Sequence, residues 1–305
     1  PARMRTYLVT GGCGFIGSHL ADALLAQGHA VRVLDDLSTG KRANLQAAAE
    51  LTVGDVADTA TLARAMRGIA GCFHLAAIAS VERGNQDWLG THRTNLTGTI
   101  AVMDAARETG IPVAYASSAA VYGDSQALPL AEDSATWPLS AYGADKLGCE
   151  LHARVAGLVH AVPTTGLRFF NVYGPRQDPL SPYSGVISIF CERLRARRNV
   201  TVFGDGGQTR DFVFVADVVR ALLAGLRAVS REAPVFNVCT GRATSVLDLV
   251  NAIADTLGVV PEISFGPARP GDVRASLGDP SAARVALGFT AETRLTVGLV
   301  STLTE

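Results

Sequence analysis

The sequence has little charge and no excess of either sign. Lysine and arginine number 27 and aspartate with glutamate 28, leaving a formal net charge of −1, and charged residues are only 18% of the 305. Such a chain has no global field to hold a polyanion, which sets aside a nucleic-acid partner. No apolar run approaches the roughly 20 residues of a membrane span, so no membrane partner is expected. The first residues run into a strand-like segment, 6–10, with no apolar stretch or cleavage site of a secretory signal, and a cytoplasmic location is expected. Cysteine is scarce. Cys13, Cys72, Cys149, Cys191 and Cys239 are widely separated, odd in number and never spaced Cys-x-x-Cys. That pattern excludes a disulfide scaffold or a zinc knuckle, fits a reducing compartment, and leads us to expect no metal site.

What is present is apolar. Hydrophobic residues make up 48%, enough for a substantial core, and the length suits one large domain or two fused lobes. Up to about residue 170, short β-branched runs at 8–10, 30–34, 50–53, 72–75, 113–116 and 164–168 alternate with helix-like stretches near 15–27, 60–67, 88–109 and 139–160. Strand, helix, strand in this rhythm predicts an α/β protein with a parallel sheet covered on both faces. Gly28 and Gly110 fall where helices should stop. Beyond Arg168 a Gly/Pro-rich connection covers 171–185, followed by helical patterns near 185–198, 215–228 and 245–257 and by short strands. These form a smaller α/β C-terminal lobe facing the C-terminal ends of the sheet strands, the edge at which open α/β sheets bind ligands. The arginines at 193, 195, 197 and 198 read as a solvated helix face.

The segment Thr10-Gly-Gly-Cys-Gly-Phe-Ile-Gly-Ser18 follows the first strand and opens the first helix, with Gly11, Gly14 and Gly17 three apart. Glycines at this spacing allow a tight turn, let backbone approach a pyrophosphate, and pack helix on strand. The helix N-terminus then offers free N–H groups to phosphate. Asp35, eighteen residues beyond Gly17, ends the second strand. A carboxylate there accepts from the adenosine ribose and repels a 2′-phosphate, which favours NAD over NADP. Arg32, Lys41 and Arg42 keep the NADP alternative open. Asp55, after the third strand, has two readings: it faces the adenine amino group, or it caps a helix. The fold class is therefore a Rossmann-like doubly wound parallel sheet.

Tyr142 and Lys146 lie four apart on one helix face. A phenol has an ordinary pKa near 10, and a neighbouring ammonium favours its phenolate and tunes it for proton transfer. Ser117 and Ser118 end the fifth strand, where Ser118 could bond the same substrate hydroxyl; their alternative is to satisfy loop backbone groups.

With these segments the chain resembles the extended short-chain dehydrogenase/reductase family, in its nucleotide-sugar 4-epimerase branch. Matching stretches include the glycine loop, Asp35-Asp-Leu-Ser38, Gly54-Asp-Val56, His74-Leu-Ala-Ala77, Asn95, Ser117-Ser-Ala-Ala-Val-Tyr-Gly123, Leu167-Arg-Phe-Phe-Asn-Val-Tyr-Gly-Pro175, Gly204-Asp-Gly206, Arg210-Asp-Phe212 and Arg269-Pro-Gly-Asp272. The resemblance implies an NAD-binding domain over 1–171 that also reclaims about 212–240, and a discontinuous substrate lobe over 172–305. It implies cofactor contacts from Gly11, Gly14, Phe15, Ile16, Gly17, Asp35, Asp36, Leu37, Ser38, Gly40, Asp55, Val56, Leu75, Ala76, Ala77, Asn95, Ser117, Tyr142, Lys146 and Phe169. Catalysis falls to Ser118, Tyr142 and Lys146. Substrate contacts fall to Ala79, Ser118, Ala119, Tyr142, Asn171, Val186, Thr201, Phe203, Arg210, Arg269, Asp272 and Ser276.

Related nucleotide-sugar 4,6-dehydratases carry an Asp-Glu pair after the hydroxyl residue, and decarboxylating relatives keep a Glu nearby; here Ala119 and Ala120 stand instead. The resemblance then implies a UDP-sugar 4-epimerase working through a transient 4-keto sugar. Ser276 stands where glucose-restricted relatives carry tyrosine, leaving room for an N-acetyl group, so UDP-N-acetylglucosamine and UDP-N-acetylgalactosamine are the expected pair. UDP-glucose or UDP-uronic acid epimerisation, a net NAD-dependent dehydrogenase or reductase, and a non-catalytic NAD-binding protein remain the alternatives. Gly185, Ala79 and 82–85 depart from the usual family residues. The helices near 88–109 and 139–160 carry apolar faces, and the resemblance implies that they pair across a two-fold axis into a four-helix bundle, making a homodimer; the alternative is that both faces are covered within one subunit.

Overall fold

The computed structural model describes residues 4–179, 185–268 and 272–304. The early β-branched runs become strands β1 (Thr6–Thr10), β2 (Ala30–Asp35), β3 (Glu50–Val53), β4 (Gly71–His74), β5 (Val113–Ser118) and β6 (Thr164–Phe169). Later come β7 (Asn171–Tyr173), β8 (Val200–Phe203), β9 (Thr209–Arg210), β10 (Phe212–Phe214), β11 (Val235–Val238), β12 (Thr244–Ser245) and β13 (Ile263–Gly266). Helices α1 (Phe15–Ala26), α2 (Thr59–Ala65), α3 (Val81–Gln86), α4 (Trp88–His92), α5 (Gly98–Arg107) and α6 (Ala141–His160) accompany the first half. The second half carries α7 (Val186–Arg195), α8 (Val215–Arg227), α9 (Val246–Leu257), α10 (Ser281–Leu287) and α11 (Leu295–Thr304).

Seven strands form one sheet in the order β11-β6-β5-β4-β1-β2-β3, every neighbouring pair parallel. The order reverses between β1 and β4, which opens a crevice at their C-terminal ends. Apolar residues cover both faces, because parallel strands are buried on two sides. One core packs Leu20 and Leu24 of α1 and Val218 and Leu222 of α8 on the sheet. The other packs Leu62 of α2, Val102 of α5 and Ala153 of α6. A third core, with Ile187, Phe190, Val202, Leu249 and Ile253, belongs to the C-terminal lobe. There β8 pairs with β13, β9 with β12, and β10 with β7 rather than with the main sheet, while β11 returns to that sheet beside β6.

The stretch expected as one helix over 88–109 is interrupted. Asp87 caps α4 by accepting from Gly90 N–H at 3.1 Å, and a π-helical turn, Arg93–Thr97, separates α4 from α5. Helices α3, α10 and α11 were not legible in the pattern: the first two are only six and seven residues long, and the third is rich in threonine and valine. All five cysteines are buried thiols. No described helix is long and apolar enough to cross a membrane.

Candidate active site

The crevice begins at the glycine loop. Gly11 takes φ +69°, and a β-carbon there would lie 2.8 Å from Ala76 N, so the loop and the end of β4 can approach only through glycine. A β-carbon on Gly17 would strike the Gly11 carbonyl oxygen. Gly14 caps α1 with no side chain bonding the first turn, which leaves that helix start open to an anion.

Asp35 is buried at the end of β2 and accepts from Cys13 N–H at 2.9 Å and Leu37 N–H at 2.8 Å. Burial raises its pKa; the two amide bonds oppose the rise and Asp36 adds to it. Asp55 is not the helix cap. Asp58 caps α2, while Asp55 accepts from Ala57 N–H at 2.8 Å and pairs with Arg93 at 3.1 Å.

At the other end, β5 places two adjacent hydroxyls on opposite sides, as strand alternation requires. Ser117 turns inward and donates to Glu150 at 2.5 Å. Ser118 accepts from Ala120 N–H at 3.1 Å, which leaves its own proton free to donate. Ser140 starts α6 by accepting from Gly143 N–H, and the helix carries Tyr142 and Lys146 to the crevice. The buried Lys146 ammonium donates to Ala116 O at 2.8 Å and sits 5.7 Å from the centre of the Tyr142 ring. Among the described residues no hydrogen bond engages the Tyr142 hydroxyl. Behind them His74 bridges Thr10 at 2.7 Å and Thr99 at 2.9 Å. Burial, helped by Lys146, holds its pKa down at about 3, so the ring is neutral.

These groups line one cavity of about 450 Å³, running from Gly11, Gly14, Phe15, Ile16 and Gly17 past Asp35, Asp36 and Ser38 to Asp55 and Val56. It continues along Leu75, Ala76, Ala77 and Ala79 to Ser117, Ser118, Tyr142, Lys146, Phe169 and Asn171. The open helix start, the buried carboxylate at the far end of β2 and the continuous wall between them fit NAD.

Several expected contacts lie off this wall. Leu37 contributes its backbone N–H to Asp35, and Gly40 is needed because a β-carbon would crowd the Asp35 carboxylate at 3.0 Å. Asn95 is spent on the chain itself: it accepts from Ile78 N–H at 2.8 Å and donates to Ile78 O at 3.1 Å, fixing the 75–79 segment. Ala119 sits in the turn after Ser118, and Val186, Thr201, Phe203, Arg210, Asp272 and Ser276 belong to the C-terminal lobe beyond the cavity wall. Arg210 and Asp272, both expected as substrate contacts, pair with each other at 2.6 Å. Arg269 lies outside the described residues. Conversely, Thr39, Lys41, Asn44, Thr94, Arg176 and Gln177 line the cavity without having been expected as contacts. Only Lys41 carried a signal, as a cation just past Asp35.

Fold and crevice together define a class: a Rossmann-type protein that holds a dinucleotide and works on a hydroxyl beside it. The model of the NAD-dependent epimerase/dehydratase family matches residues 7–239, and the chain belongs to that family, with NAD as its cofactor. It is 41% identical to a UDP-glucose 4-epimerase of Mycolicibacterium smegmatis, over 98% of this chain and 97% of that one. Among solved structures it is similar to the UDP-glucose 4-epimerase of Thermotoga maritima with UDP-glucose (TM-score 0.94, 35% identity, 98% and 97% covered). It is equally similar to the UDP-N-acetylglucosamine 4-epimerase of Methanobrevibacter ruminantium M1 in complex with UDP-N-acetylmuramic acid (TM-score 0.94, 32% identity, 99% and 98% covered).

Proposed function

We propose that this protein is a UDP-sugar 4-epimerase acting through a 4-keto sugar. The observation that carries the reading is the convergence of Tyr142, Lys146 and Ser118 on the dinucleotide cavity, with Ala119 and Ala120 where a second acid–base pair would stand. With one proton-transfer group, chemistry is confined to one carbon. Bound NAD would accept hydride from that carbon and return it. Tyr142 takes the O4 proton as the carbon is oxidised and gives it back when the carbon is reduced from the other face. Lys146, anchored by Ala116 O, places a positive charge 5.7 Å from the centre of the Tyr142 ring, beside the proton-transfer group. Ser118, its oxygen already accepting from Ala120, donates its proton to O4 and orients it.

The favoured substrates are UDP-N-acetylglucosamine and UDP-N-acetylgalactosamine, on the small side chain of Ser276. The second reading is UDP-glucose and UDP-galactose, favoured by the name of the M. smegmatis relative. Purified protein incubated with each UDP-sugar should interconvert the 4-epimers with no build-up of NADH at 340 nm. Reduced cofactor accumulating in step with product would make it a dehydrogenase instead.

We further propose a homodimer through α4, α5 and α6. On α6, Leu151, Val155, Leu158 and Val159 are exposed at helical spacing, and Trp88 and Leu89 of α4 are exposed as well. A monomer in light scattering at micromolar concentration would remove that proposal.

A further inference from the structure

A short strap, residues 174–178, leaves the end of β7 and is tied at four points to the half of the molecule that carries the glycine loop. His19 Nε2 of α1 donates to Pro175 O at 2.9 Å. Arg176 pairs with Asp22 of α1 at 2.7 Å and reaches Asn44 O at 3.5 Å. Lys41 meets Asp178 at 2.6 Å. The receiving loop is itself fastened to the glycine turn: Lys41 N–H and Asn44 Nδ2 both donate to Cys13 O at 3.0 Å. Lys41, Arg176, Gln177 and Asp178 all line the dinucleotide cavity, and Gln177 Oε1 is a buried acceptor with no hydrogen-bond partner among the described residues. Thus two ion pairs between residues more than 130 apart in sequence tie the strap to the glycine-loop half of the molecule, beside the cavity.

We propose that this strap is a latch that retains NAD between turnovers, with Lys41–Asp178 as its releasable clasp. The inference rests on the epimerase reading, in which the oxidised cofactor is regenerated in place and its release serves no step. The two ion pairs differ in shielding. Arg176 and Asp22 are 28% and 23% exposed at the side chain, Lys41 and Asp178 58% and 32%. The wetter pair is the more easily screened and so the one that opens first. A solvent-exposed pair contributes up to about 1 kcal/mol, which corresponds to about a fivefold change in cofactor dissociation. Lys41, Arg176 and Asp178 are positioning residues: they touch no reacting atom.

The test is NAD retention by the full-length protein, read as bound dinucleotide after gel filtration and as its dissociation rate. Asp178→Asn and Lys41→Gln should each release NAD about two- to fivefold faster, with activity recovered on adding NAD. In about 1 M NaCl, where the screening length falls to about 3 Å, the wild type should speed up by a similar factor and Asp178→Asn should not respond further. Exchanging the pair, Lys41→Asp with Asp178→Lys, should restore slow, salt-sensitive release, which a purely structural role does not explain. A wild type that stays loaded while both single variants hold NAD equally long overturns the latch alone. A wild type that neither carries NAD nor responds to it overturns the epimerase reading and the latch together.

Discussion

Arg168 and Glu150 form a two-pronged buried ion pair, Nε to Oε1 at 2.8 Å and Nη2 to Oε2 at 2.7 Å. They are 5% and 8% exposed. Burial alone would lower the Arg168 pKa, but the Glu150 carboxylate outweighs it and holds the guanidinium firmly charged. The pair joins β6 to α6 and reaches the crevice through Ser117. Ser117, next to Ser118, donates to Glu150, and Arg168 also donates to Tyr122 at 2.8 Å, whose hydroxyl donates to Asn237 of β11 at 2.7 Å.

Removing one partner leaves the other charge buried and alone. Glu150→Ala should therefore cost about 3–5 kcal/mol in urea unfolding, well above the effect of a surface deletion. Replacing both residues by apolar ones of similar volume should cost much less than the sum of the single changes. A single variant within about 1 kcal/mol of wild type would show that water replaces the lost partner.

Tyr142→Phe keeps the ring and its contact with the Lys146 ammonium and removes only the hydroxyl to which the proposed function gives the proton transfer. Epimerisation should fall about 10²–10⁴-fold while bound NAD and thermal midpoint stay near wild type. Lys146→Met should lose more than rate. It also deletes the bond to Ala116 O that fixes this end of the crevice. Turnover by Tyr142→Phe close to wild type would assign the proton to another group.

Much of this site was legible because backbone chemistry wrote it into residue identity. Gly11 and Gly17 are glycines because nothing larger fits between the loop and its neighbours, and Asp35 closes a strand whose partners are all regular. Tyr142 and Lys146 were legible because helical spacing alone puts them side by side. Pairings set only by tertiary packing were not. Asn95 holds Ile78 through both ends of its amide, seventeen residues away in sequence, a contact that no local rule of helix geometry signals. The strap residue Asp178 finds Lys41 across the chain, and no local pattern announces such a pair. The π-helical turn at Arg93–Thr97 escaped for a similar reason: its carbonyl at Asn95 is held by Thr99 and by Cys149 of another helix.

His74 gives the molecule an acid-sensitive point. Its folded pKa of about 3 lies below the ordinary 6.5, so the folded protein keeps it neutral where the unfolded chain takes up a proton. The stability that depends on neutral His74 is complete above pH 6.5 and is lost as pH falls from there toward about 3. At pH 5 the loss is about 2 kcal/mol. Asp35, Asp211 and Glu132, whose pKa values burial raises, act in the opposite sense over the acid range. The readout is therefore a difference: His74→Asn should show a shallower fall in unfolding free energy between pH 6.5 and 5 than wild type. Parallel slopes would mean that His74 is protonated inside the fold.

Ser276 bears on sugar choice through its neighbours. Its N–H donates to Thr209 O at 3.1 Å, one residue before Arg210, and Arg210 pairs with Asp272. A larger side chain at 276 is thus introduced beside the cationic group expected to meet the nucleotide, without breaking a side-chain bond. If the small side chain is what admits an acetamido substituent, Ser276→Tyr should lower kcat/KM for UDP-N-acetylglucosamine by about 10–200-fold, the range over which pocket size discriminates. UDP-glucose should keep most of its rate. Equal losses on both sugars would place residue 276 outside the sugar pocket and shift the choice of substrate to the cavity residues Ala79 and Gly185.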